Sequence, residues 1–165
     1  VAGWNIEVRL PRETIPERAR KVVGPFINRV VRRAAGEALR QARLLSPVDT
    51  GALRASIVAT FQEGPRFTAL VAPGVSYAPW VELGRAAGER MPPPQALEKW
   101  VLRHGFLGGK SSRRRASASA IRSAAFVLAR AIARRGIRPR PYMALAAAAA
   151  QRVVDLSIAE FRRGA

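Results

Sequence analysis

The chain has 165 residues, and 29 Lys and Arg against 11 Asp and Glu leave it with a formal charge of +18. With no Cys, one His and two Asp, disulfides, thiolate metal sites and cysteine nucleophiles are excluded, and a histidine metal cluster or a Ser-His-Asp triad has almost nothing to be built from. The 48% hydrophobic content supports a core, but much of it is alanine, so the core is expected to be thin and completed by helix packing or by contacts between copies.

Trp4, Ile6, Val8 and Leu10 alternate with Asn5, Glu7 and Arg9, the period-two pattern of a strand with one buried face, which Pro11 ends. From Thr14 to Leu45, apolar residues recur at steps of three and four with arginines between them, which spells a long amphipathic helix. Gly24-Pro25 inside it calls for a kink or a restart, and Ser46-Pro47 ends it. Ser56 to Phe61 and Phe67 to Ala72 are two β-prone runs, and Gly64-Pro65 between them marks a hairpin. Ala78 to Leu83 reads as a helical turn, with Gly84 free to take a left-handed stop.

Met91-Pro92-Pro93-Pro94 is an extended spacer into a short helix, Gln95 to Arg103, with Leu97, Trp100 and Val101 on one face. Gly105 to Arg115 is rich in Gly, Ser and Arg and reads as a mobile basic loop. Ile121, Ala125, Leu128 and Ile132 define another amphipathic helix, stopped by Gly136. Ile137 to Pro141 is extended because two prolines alternate there, and Tyr142 to Phe161 is a last helix whose alanine run permits close packing. The expected fold class is α+β: a small antiparallel sheet packed against the long N-terminal helix and the C-terminal helix, in one domain over residues 1–165 with a helical, basic-loop insertion at about 88–136.

No apolar run approaches the roughly 20 residues that span a bilayer, and the first thirty lack the continuous apolar stretch of a signal peptide, so a soluble protein without membrane contact is expected. All basic residues except Lys21, Lys99 and Lys110 are arginine, which binds phosphate and carboxylate in a bidentate way. The surplus implies polyanionic company. Arg113, Arg114 and Arg115, with Arg134, Arg135, Arg138 and Arg140, form a candidate phosphate-binding stripe or a docking surface for acidic protein.

Gly105 to Ser111 superficially resembles a phosphate-binding loop, but His104 stands where the first glycine is needed. His104 itself has no carboxylate nearby in sequence to orient it as an acid or base. Glu82, Glu89 and Glu98 read as ion-pairing groups among the arginines rather than as a metal or hydrolytic cluster. Neither cofactor nor metal is expected, and no catalytic residues emerge.

Three segments are more informative. In Ser46-Pro47-Val48-Asp49-Thr50-Gly51-Ala52-Leu53-Arg54-Ala55-Ser56-Ile57, Asp49 or Thr50 can cap a turn, Gly51 permits a tight path and Leu53 anchors it in the core. The others are Tyr77-Ala78-Pro79-Trp80-Val81-Glu82-Leu83-Gly84 and Arg138-Pro139-Arg140-Pro141-Tyr142-Met143.

In order and spacing these segments resemble the tail-completion or neck proteins of lambda-like long-tailed bacteriophages. The likeness rests on Pro47, Asp49, Thr50, Gly51, Leu53, Arg54, Ser56 and Ile57; on Tyr77, Ala78, Val81, Glu82 and Gly84; and on Arg140, Pro141 and Tyr142. It spans roughly residues 15–163 and is weak in the insertion. Trp80 and Tyr142 stand where other aromatics are usual, and the N-terminal strand departs from the family pattern.

The resemblance implies a structural, non-enzymatic virion protein. It would form a ring of six copies at the top of the tail, between the tail tube protein and the head connector or stopper protein, with packaged DNA passing through. It would be made in the host cytoplasm and reside at the head-tail junction. On that reading Arg54 and Glu82 are candidates for an ion pair joining the first two segments, and Arg138 and Arg140 for display to a neighbour. The competing reading is a basic nucleic-acid-binding protein.

Overall fold

The computed structural model describes residues 6–7, 17–62, 67–104 and 116–164. The fold is α+β, and the chain divides into two compact units, residues 1–82 with 140–165, and residues 83–139.

In the first unit, α1 (Glu17–Leu45) runs as a single helix with Pro25 inside it, so the restart allowed for at Gly24-Pro25 does not occur. Proline removes one rung of the ladder, and the remainder of the 29-residue helix carries it. Ser46 then closes the helix: its amide donates to the Ala42 carbonyl at 3.0 Å and its hydroxyl to the Arg43 carbonyl at 2.9 Å. On the exposed face Arg40 grips Glu37 through two bonds of 2.7 and 2.9 Å, and together with Gln41 it holds the Glu37 carboxyl down at about 2.

The buried face of α1 is small: Val30, Val31, Ala34, Ala35, Ala38 and Ala42. It meets α6 (Tyr142–Gly164), whose inward residues include Met143, Ala146, Ala150 and Val154. Alanine on both sides lets the backbones approach closely, so a thin core is still a dense one. Phe26 and Phe161 cover one end of the pair, with ring centroids 4.6 Å apart.

The sheet lies against α1 in the order β1-β3-β2, all antiparallel, from β1 (Ile6–Glu7), β2 (Ile57–Gln62) and β3 (Thr68–Pro73). Its register sets Ile6 opposite Val71 and Ile57 opposite Pro73, and Ile57, Ala69 and Val71 are buried. The rest of the N-terminal strand read from Trp4 to Leu10, and the Gly64-Pro65 turn, lie outside the described residues. Ser56 does not begin β2, as the pattern suggested; it ends the short helix α2 (Ala52–Ser56). α3 (Ala78–Glu82) completes this unit.

The second unit packs α4 (Pro94–His104) against α5 (Ala118–Arg135), with Val101, Ala125 and Ala129 fully buried between them. Ser117 caps α5 by accepting from the Ala120 amide, and Gly136 stops it. The two ends of the unit are clasped by an isolated bridge, in which the amides of Arg85 and Ile137 each donate to the other's carbonyl at 2.9 Å. Gly84 and Gly136 flank the clasp with φ of 71° and 73°. The basic loop expected at Gly105 to Arg115, with Arg113, Arg114 and Arg115, lies outside the described residues.

Candidate functional site

The first segment folds as a turn on Gly51, whose φ of 81° is left-handed and which is itself the N-cap of α2. No side chain caps that position; Thr50 contributes from one residue earlier, its hydroxyl accepting weakly from the Ala52 amide at 3.4 Å. Leu53 is buried, whereas Asp49 and Arg54 are exposed and Pro47 is half-buried. Two links seat the segment. Arg43 donates from Nε and Nη2 to the Ile57 carbonyl at 3.2 and 2.8 Å, and Gly74 donates its amide to Ser56 at 3.0 Å.

The second and third segments meet directly. A helix as long as α6 opens with amides that have no partner inside the helix, and Arg140-Pro141 before it offers no Ser, Thr, Asp or Asn to cap them. Glu82, remote in sequence and only 3% exposed, supplies the cap. Its Oε2 accepts from the Met143 amide and its Oε1 from the Ala144 amide, both at 2.9 Å. The carboxylate also faces the positive end of the helix dipole. A backbone bond from the Arg140 amide to the Val81 carbonyl, 2.9 Å, reinforces the junction.

Arg54 is therefore not the partner that Glu82 uses within the chain: both carboxylate oxygens are taken by amides, and no Arg54–Glu82 ion pair occurs among the described residues. Sequence reasoning missed this contact. The signal was present in a long helix with no local capping residue.

Tyr142, the first residue of α6, is 2% exposed, and its buried hydroxyl has no hydrogen-bond partner among the described residues. Burial pushes the phenol up to about 12, and the charges of Glu82 and Tyr77 act in the same direction. Tyr77 is exposed at the start of the turn, where its carbonyl accepts from the Trp80 amide at 3.1 Å. Gly84 is buried in the clasp of the second unit. Arg140 and Pro141 are exposed, as are Arg134, Arg135 and Arg138.

The chemistry of this junction is that of a strut. A buried carboxylate that accepts one amide on each oxygen fixes α3 to α6. Among the described residues no group of His, Asp and Glu could hold a metal ion, and no helix is long and apolar enough to cross a membrane.

Residues 16–84 match the family described as "Bacteriophage HK97-gp10, putative tail-component". The match contains the first two segments whole and stops at Gly84, so over that stretch the chain is similar to a phage tail component. No curated protein and no solved structure matches the chain.

Proposed function

From a segment that matches a phage tail-component family, we propose that the chain is a structural virion protein that assembles into a ring at the top of the tail, joining the tail tube to the head connector or stopper. The ring has six copies and leaves a channel for packaged DNA. The role is architectural, without catalysis, and the site of action is the head-tail junction of the virion.

The observation that carries this reading is the number of large apolar side chains left in water on the first unit. Leu44 and Leu45 are exposed in the last turn of α1 and Val48 just after it, Val58 and Phe61 on β2, Tyr77 and Trp80 around α3, and Leu145 and Leu156 along α6. Scattered apolar exposure is ordinary, but runs of it on successive elements beside an alanine core suit burial against neighbouring copies. Closed rings use heterologous contacts, which join different faces of one chain. The exposed arm Arg138-Pro139-Arg140-Pro141, its backbone pinned by the Arg140–Val81 bond, suits display to such a neighbour.

Native mass spectrometry and negative-stain microscopy of the purified chain test the assembly, and immunogold labelling of particles tests the place. A ring in solution and label at the head-tail junction are expected. A chain that stays monomeric at high concentration and is missing from complete virions overturns the reading.

A further inference from the structure

The second unit carries far more than its share of charge. Residues 83–139 hold 13 Lys and Arg against two Asp and Glu, a surplus of +11, while the larger first unit holds the remaining +7. Of the two carboxylates, Glu89 is engaged by Arg85 at 3.2 Å and by the Ala86 amide at 3.1 Å, and Glu98 is half-buried on α4. The arginines of α5 are left without acidic partners: no carboxylate of a described residue pairs with Arg122, Arg130 or Arg134.

These three share one side of the helix. With Ala125 and Ala129 turned into the unit, the positions Ser119, Arg122, Ser123, Phe126, Val127, Arg130 and Arg134 are all exposed and, at 3.6 residues per turn, fall within an arc of about 140°. Arg122 borders one edge of the arc and Arg134 lies near the other. Along the axis they are roughly 18 Å apart, with Arg130 between them about 12 Å from Arg122. A helix with cations on both flanks and serine hydroxyls between them can lie in a duplex groove about 12 Å wide and reach phosphates of both strands.

We propose that the exposed face of α5 binds duplex DNA through its phosphates without reading sequence, Arg122, Arg130 and Arg134 each neutralising one phosphate. One observation favours a nucleic acid over an acidic protein. The charge is not confined to one patch, because Arg90, Lys99, Arg135 and Arg138 are exposed on other parts of the unit, as suits a continuous polyanion whose counterions are released along its length. The cations are almost all arginine, whose planar fork takes phosphate oxygens in pairs as it does those of a carboxylate, so the polyglutamate comparison below separates the two. Phe126 and Val127 then lie against the deoxyriboses that wall the groove. The proposal does not depend on the ring, since it is read on the full chain in solution.

The test is fluorescence anisotropy of the full-length protein with a labelled 20-base-pair duplex of arbitrary sequence, titrated across a range of NaCl. Losing three phosphate contacts should lower the slope of log K against log salt by about 2.7 and weaken binding roughly tenfold or more at moderate salt. The triple variant Arg122→Gln, Arg130→Gln, Arg134→Gln is expected to do this while its thermal melt stays unchanged. A control of equal charge on the first unit, Arg29→Gln, Arg33→Gln, Arg152→Gln, is expected to leave most of the slope intact. Equal losses from both triples, polyglutamate that competes as well as DNA per charge, or no binding at 50 mM salt would each overturn the proposal. A ring that forms normally with any of these outcomes leaves the tail reading standing.

Discussion

Glu82 holds the first turn of α6 by accepting the amides of Met143 and Ala144, so a carboxylate buried at the end of a five-residue helix governs the start of a 23-residue one. The arrangement ties two segments more than fifty residues apart in the chain. It also joins the middle of the first unit to the helix that completes its core.

Glu82→Ala removes both acceptors and strands two amides in the first turn of α6, that of Met143 buried and that of Ala144 part-buried. Hydrogen bonds to charged groups contribute about 1.5–3 kcal/mol, and N-cap removal alone costs about 0.5–2 kcal/mol, so a loss of about 3 kcal/mol is expected. Glu82→Gln retains one acceptor oxygen and gives up the charge-dipole term, for a loss of about 1–2 kcal/mol. Urea midpoints at unchanged m-value measure both. Wild-type stability in both the Gln and the Ala variant would show that the amide contacts contribute nothing.

Tyr142→Phe tests the opposite kind of buried group. Its hydroxyl has no partner among the described residues, and deleting such a group while keeping the ring is neutral or stabilising by about 1 kcal/mol. The pH dependence follows from the raised phenol. A folded-state pKa of about 12 against an ordinary value of 10.0 means that the native state keeps the proton more tightly than the unfolded chain does. The resulting stability is complete below pH 10 and is lost as pH rises through 12, at most about 2–3 kcal/mol. Across that window the wild type should fall relative to Tyr142→Phe in denaturant titrations. Parallel stability curves for the two proteins from pH 9 to 12 would contradict it.

The elements that periodicity controls were legible: α1, α4, α5 and α6 fall where apolar residues recur at helical steps, and β2 and β3 pair across a Gly-Pro turn signal. The proline inside α1 called for a kink or a restart, because local propensity penalises it. The helix continues there since the rest of its buried face still packs on α6 and the sheet. The motif segments could be recognised, but not what each touches. Arg54 and Glu82 carry opposite charge and invite pairing on paper, yet a carboxylate of low exposure gains more from two fixed amides at a helix end than from an exposed guanidinium. Arg43 likewise could not be assigned to the Ile57 carbonyl, a link across a turn that no periodicity encodes.

Gly84 and Gly136 make the last prediction, because each is hemmed in by the strand that carries the other. A Cβ on Gly84 would collide with the Ile137 carbonyl oxygen and come within 2.7 Å of the Pro139 nitrogen; one on Gly136 would collide with the Arg85 carbonyl oxygen and lie 3.0 Å from the Ala87 nitrogen. The obstructing atoms are backbone, and the carbonyls are those that accept the two bridge bonds, so neither strand can retreat without breaking the clasp. Positive φ adds its own cost of about 1 kcal/mol for a residue with a Cβ. Gly84→Ala and Gly136→Ala should each destabilise by roughly 2–4 kcal/mol, in the range of strain at a special backbone position. Since both act on one bridge, the double variant should lose clearly less than the two single losses combined. Hydrogen exchange would locate the damage, with the Arg85 and Ile137 amides losing protection while the α1 and α6 amides of the alanine core keep theirs. Unchanged protection at Arg85 and Ile137 in both single variants would mean that the clasp tolerates the added methyl group.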